Sequence, residues 1–224
     1  MIRCRTLFVM ARAGILLALI LLVPASFDSA QVSVVQSLPL RTRAQMIAVA
    51  KQFAEHRWVC ARTNLSAPCA KRSYNSDWKA GQQIQGVPYR WGGSDTPEGF
   101  DRKLAQGLAA GSHSRDGVLG CATGVDCSGF VAHCWGLSSS GHDFSTTNLR
   151  TVGGKPKDNV FTDLRPGDAL NKPGSHVVLF AGYNPDGTIN VYEASGSAGR
   201  VIFHKTTWSR FKGYIPLRYK NTDE

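Results

Sequence analysis

Most of what would mark a fibrous, disordered, nucleic-acid-binding or membrane-embedded chain is missing from these 224 residues. There is no run of five Lys or Arg, so no nucleic-acid arm is expected. The longest apolar run, Ile15 to Val23, holds nine residues, against the roughly 20 that span a bilayer. Internal repeats and low-complexity tracts are absent, and the 23 glycines follow no collagen-like period. Cys121, Cys127 and Cys134 are separated by five and six residues, unlike the two-to-four-residue knuckles of structural zinc sites. Neither a metal nor another cofactor is therefore expected. What remains is 42% hydrophobic with five tryptophans, enough for a globular core and too aromatic for disorder.

The first 14 residues carry Arg3, Arg5 and Arg12 and no acid. A basic start, a short apolar centre and the triplet Val23-Pro24-Ala25 read as a secretory signal cleaved after Ala25. An exported protein, secreted or periplasmic, follows, with no stable membrane span after cleavage. The 26 basic residues fall by these three arginines to 23 against 16 acids, so the net charge drops from +10 to +7. A moderate positive charge fits attraction to anionic envelope polymers.

Cleavage also removes Cys4, leaving Cys60, Cys69, Cys121, Cys127 and Cys134. An odd number in an oxidising compartment predicts two bridges and one retained thiol. Cys60 and Cys69 close a short loop and are expected to form a local staple. A bridge from Cys121 to Cys134 would then leave Cys127 free.

After a leader from residue 26, Met46, Ile47, Ala50, Phe53 and Ala54 recur at helical spacing, predicting an amphipathic helix from Thr42 to about Trp58. A short helix is expected near Asp77 to Ile84, and another over Phe100 to Ala110 inside a Gly-, Ser- and Asp-rich segment, 94–125. The last third reads as strands: His176 to Tyr183, a turn at Asn184-Pro185-Asp186-Gly187, then Thr188 to Ala194, Arg200 to Thr206 and Tyr214 to Tyr219 in an antiparallel meander. Helices first and strands after argue for an α+β domain.

Cys127 stands where a helix begins. Asp126 and Ser128 are both competent caps, and apolar periodicity starts at Phe130. Unsatisfied N–H groups there would lower a thiol pKa and donate to an oxyanion. A nucleophilic thiol also needs an imidazole partner. His56 and His204 read as surface residues, His113 and His142 lie in loops, and His133 falls about 120° round the helix from Cys127. His176 is different: it opens an apolar strand, where a core would take an aliphatic residue. Glu193 on the following strand is the candidate to orient the ring. If residues 184–187 form a four-residue loop, Glu193 opposes Val178 and shares the face of His176. If Pro185-Asp186-Gly187 form a three-residue loop with a bulged Gly, Glu193 turns away, and Asn190 or Tyr192 takes its place.

Four segments occur in the order seen in one family: Gly86-Val-Pro-Tyr-Arg-Trp-Gly-Gly93, Asp126-Cys-Ser-Gly-Phe-Val131, Arg165-Pro-Gly-Asp168 and Ser175-His-Val-Val-Leu-Phe-Ala-Gly182. Residues 80–220 thus resemble the NlpC/P60 family of papain-like cysteine peptidases, with an insertion at about 94–125 and a separate N-terminal part, 26–79. The resemblance implies a fold with N-terminal helices on an antiparallel sheet and the nucleophile at a helix start. It implies Cys127 as nucleophile, His176 as base, Glu193 as third residue and the Tyr89 hydroxyl over the nucleophile. It assigns Asp126, with its neighbour Ser128 and the Ser145-Thr146-Thr147 loop, to the substrate, where the family holds a free amine. Such enzymes typically cut peptidoglycan stem peptides, often at γ-D-glutamyl bonds, and a monomer is expected. A related amidase or acyltransferase, or a non-catalytic envelope-binding module with Cys127 tied in a bridge, are the competing readings.

Overall fold

The computed structural model describes residues 38–70, 78–137, 142–156 and 161–223. The expected signal segment and, up to residue 37, the expected leader, 26–40, lie outside them, as does Asp77. Strand β1 (Arg41–Thr42) leads into helix α1 (Arg43–Glu55). Thr42 caps this helix: its side chain accepts from the Gln45 N–H, and the Gln45 side chain accepts from the Thr42 N–H. Met46, Ala50, Phe53 and Ala54 form its buried stripe.

The helix ends at Glu55, short of the expected Trp58, because His56 leaves helical geometry and strand β2 (Arg57–Val59) pairs antiparallel with β3 (Gln83–Gln85). The helix expected near residues 77–84 is accordingly a turn and a strand. Gly81 takes φ 81°, which breaks a helix, and Ile84 alone of β3 turns inward, opposite Trp58.

Helix α2 spans Pro97–Ala105, starting and stopping earlier than expected. Thr96 accepts from Gly99 and Pro97 fills the first turn. Gly107 at φ 84° ends the run, and β4 (Ala109–Ala110) then pairs in parallel with β5 (Ala122–Thr123). Helix α3 (Cys127–Cys134) buries every residue except His133.

Beyond it, β6 (Gly153–Gly154), β7 (Ala169–Lys172), β8 (His176–Tyr183), β9 (Ile189–Ser195), β10 (Arg200–Thr206) and β11 (Ile215–Tyr219) form one antiparallel sheet in the order β10-β9-β8-β7-β11-β6. A final strand, β12 (Thr222–Asp223), pairs in parallel with β1. The meander holds for β8, β9 and β10 only. Strand β11 crosses to the far side and pairs with β7, after the turn Trp208–Phe211 has put Phe211 under the sheet with Leu170, Val178, Phe180, Ile189 and Val191. On the opposite face Val177 and Leu179 pack with Phe130, Val131 and Phe53 of the helices. Being covered on both sides, β8 reads as an unbroken apolar run.

The cysteine pairing differs from expectation. Cys69 is bonded to Cys121, while Cys60, Cys127 and Cys134 are free and buried. Alternation along the β2 edge explains the failed Cys60–Cys69 staple: Cys60 points inward on the face of Trp58, whereas Cys69 lies at the surface. Cys134 is wholly buried on the last turn of α3, and Cys121 is taken by its bond to Cys69.

Candidate active site

Cys127 is the first residue of α3. Asp126 caps that helix, its Oδ1 accepting from the Gly129 N–H at 2.8 Å and from the Ser128 hydroxyl at 3.1 Å. The thiol meets β8 at the backbone N–H of Val177, so it faces the peptide bond that follows His176. The expected lowering of the thiol pKa is not found. Burial, reinforced by the negative charge of Asp126, pushes Cys127 up to about 12, against the backbone N–H groups of Val177, Ser128 and Cys127 itself. The carboxylate cap that starts the helix offsets the benefit of the helix end.

His176 opens β8, and its Nε2 lies 2.7 Å from Glu193 Oε2. The route to this pair combines both loop alternatives. Asn184 N–H donates to Thr188 and Gly187 takes φ 78°, so the tip is the three-residue loop with a positive-φ glycine. Nearest the tip, Tyr183 opposes Ile189 and Gly182 opposes Asn190. Further in, Phe180 opposes Val191 and Leu179 opposes Tyr192, so Ala181 is an extra residue, a bulge. Carried one step on, this register sets Val178 against Glu193, on the face of His176. The bulge undoes the shift that the tip introduces.

Glu193 is 1% exposed and accepts at both oxygens, Oε2 from His176 and Oε1 from His204 Nε2 at 2.6 Å and Arg210 Nη2 at 2.7 Å. Burial alone would raise its pKa, but the hydrogen bond and charge of His176, joined by Arg210, hold it at about 2. Tyr89 packs its ring against Gly196 and is bridged to Val125, just before Asp126. Burial, together with the nearby Cys127 and Asp126 charges, raises its pKa, so the phenol keeps its proton as a donor.

The residues assigned to substrate are committed elsewhere. Asp126 Oδ2 accepts from Gly92 at 3.2 Å and sits 2.6 Å from His142 Nε2. Both its oxygens are thus taken in the free protein, and Ser128 lies 3.4 Å from the same imidazole. Ser145 is bound to Asn148. Thr146 Oγ1 accepts from Gly174 N–H, and its carbonyl accepts from Asn171, so this loop clamps the turn that delivers His176. Sequence reasoning missed His142, His204 and Arg210. The signal for His204 was alternation: it lies two residues from Ile202, which opposes Glu193, and so shares that face.

Among the described residues no group of three or more His, Cys, Asp or Glu side chains is placed to hold a metal ion, and no helix is long and apolar enough to cross a membrane. Fold and site together define a mixed helix and strand protein in which a buried thiol and an imidazole–carboxylate pair converge on the first peptide bond of one strand. No protein-family model matches the chain, and no curated protein does. It is similar to the solved structure of the peptidoglycan hydrolase RipB from Mycobacterium tuberculosis, at 26% identity and a TM-score of 0.38 over 62% of this chain. The chain spans 59% of that protein's structure.

Proposed function

We propose that this protein is an exported cysteine hydrolase that cleaves an amide bond in peptidoglycan stem peptides, of the γ-D-glutamyl type. The observation that carries this reading is the 2.7 Å pair of His176 with buried Glu193, joined by one peptide bond to the residue whose N–H faces the Cys127 thiol. With Nε2 given to Glu193, His176 Nδ1 has no hydrogen-bond partner among the described residues and is the nitrogen for the thiol proton.

Because burial and Asp126 keep the thiol protonated, His176 takes that proton as sulfur attacks the carbonyl carbon. The resulting oxyanion is held by the Tyr89 hydroxyl and the Cys127 backbone N–H. The amine leaves with the proton from His176, giving a thioester. Water, deprotonated by His176, then attacks the thioester, the acid is released and the thiol regains its proton. Glu193 fixes the ring and stabilises the transient imidazolium. The Cys69–Cys121 bond and the formal +7 charge of residues 26–224 support export to an anionic wall.

The test is digestion of purified peptidoglycan followed by mass spectrometry of the products. New amine and carboxylate ends at a γ-D-glutamyl bond are expected, and Cys127→Ala should lower their rate on the order of 10⁵-fold or more. Undiminished digestion by Cys127→Ala would sink the reading, and products joined to a second amine would mark a transferase.

A further inference from the structure

The His176–Glu193 pair extends outward. Oε1, the oxygen of Glu193 not used by His176, sits between two further groups: His204 from β10 and Arg210 from the Trp208–Phe211 turn. Arg210 Nη1 lies 3.0 Å from the same His204 nitrogen, which makes it a contact between two donors when Nε2 carries its proton. In the tautomer protonated at Nε2, His204 donates to Oε1. The carboxylate itself is sealed from solvent, while the side chains of His204 and Arg210 are 25% and 40% exposed. A buried carboxylate free to turn would present either oxygen to His176, in a range of planes. Three hydrogen bonds from three elements leave it one orientation.

The geometry points to Arg210 and His204 as positioning residues for the Cys127–His176 centre, acting through Glu193. Arg210 contributes a fixed positive charge and His204 a directional hydrogen bond; neither touches the thiol or a reacting atom. The inference rests on the reading of Cys127 and His176 as nucleophile and base.

The groups that face Glu193 are His176 from β8, His204 from β10, Arg210 from the Trp208–Phe211 turn, and Tyr214 just before β11, which feels the charges of Arg210, Glu193 and Cys127. Among these Arg210 is the permanent cation. Its charge and its hydrogen bond hold Oε1 of Glu193 in place. Removing it therefore frees the carboxylate to turn away from His176, so the rate at which Cys127 reacts must fall.

Iodoacetamide labelling of Cys127, followed by peptide mass spectrometry as a function of pH, reads this without a substrate; mapping separates it from buried Cys60 and Cys134. Arg210→Gln should lower the plateau rate by about 10-fold, and Arg210→Lys should bring it back. His204→Leu should lower the plateau rate by about 10- to 100-fold, while His204→Gln, which can still donate, should keep it. A cooperative melt for each variant separates these effects from misfolding. If Arg210→Gln and His204→Leu both keep the parental plateau, the positioning roles are overturned even though the parent shows a reactive Cys127. If Cys127 of the parent is not labelled with an imidazole-like inflection, the hydrolase reading falls, and this inference with it.

Discussion

His142 is the residue whose charge the structure shifts most informatively close to Cys127. Its hydrogen bond to Asp126 raises its pKa above the ordinary 6.5, against the opposing effect of burial. A folded-state pKa above the unfolded value adds stability that is complete below about pH 6.5 and fades as pH climbs through the raised value. Unfolding free energies of the parent and His142→Gln should therefore differ most on the acid side of neutrality and converge as the solution becomes alkaline. A difference that stays constant with pH would contradict the ion pair. Cys127 at a helix start was legible, because Asp-Cys-Ser-Gly supplies caps and Phe130 begins the periodicity. His142 was not, since nothing local to residue 142 announces a loop folding back onto Asp126. The direction of the thiol shift was hidden for a related reason: burial and the charge of the cap outweigh the helix end, and burial is a property of the packed molecule.

At the scale of the element, the β8–β9 hairpin decides whether Glu193 faces His176. Gly182 sits beside the bulge at φ 152°, a backbone region open almost only to glycine, and a Cβ added there would meet nothing within 4 Å. Gly182→Val should thus cost about 1–3 kcal/mol through backbone strain, without a clash. Where the strand relieves that strain by losing the bulge, Glu193 turns to the other face. On the proposed hydrolase reading, denaturant titration and wall-digestion assays together should show activity falling further than stability alone predicts; full activity per folded molecule would refute the dependence on this bulge. The two sequence alternatives for the hairpin each described one end of it. Register read inward from a turn assumes an even ladder, and a bulge is invisible to that assumption. The crossover of β11 to β7 was equally illegible, because it depends on Phe211 finding a place beneath the sheet.

For the whole molecule, the Cys69–Cys121 bond joins segments 52 residues apart in sequence. It pins the stretch after β2 to the segment 94–125, and that segment in turn frames the Tyr89 loop: Ser112 N–H donates to the Tyr89 carbonyl, Trp91 N–H to the Ser112 hydroxyl, and Arg90 to Leu119. Reduction should lower unfolding free energy by roughly 2–4 kcal/mol, measured by denaturant titration with and without a thiol reductant. An unchanged midpoint would mean that packing alone holds segment 94–125. The pairing escaped sequence reading because proximity along the chain favoured Cys60, whereas the docking of segment 94–125 selects Cys121. The bulge in β8 also has a practical consequence. Because it absorbs the residue by which the hairpin tip is offset, the tip at Pro185 to Gly187 is geometrically insulated from the His176–Glu193 pair. That tip is therefore the place to attach a fluorophore, an affinity handle or a surface linker while the Cys127 thiol stays as it is.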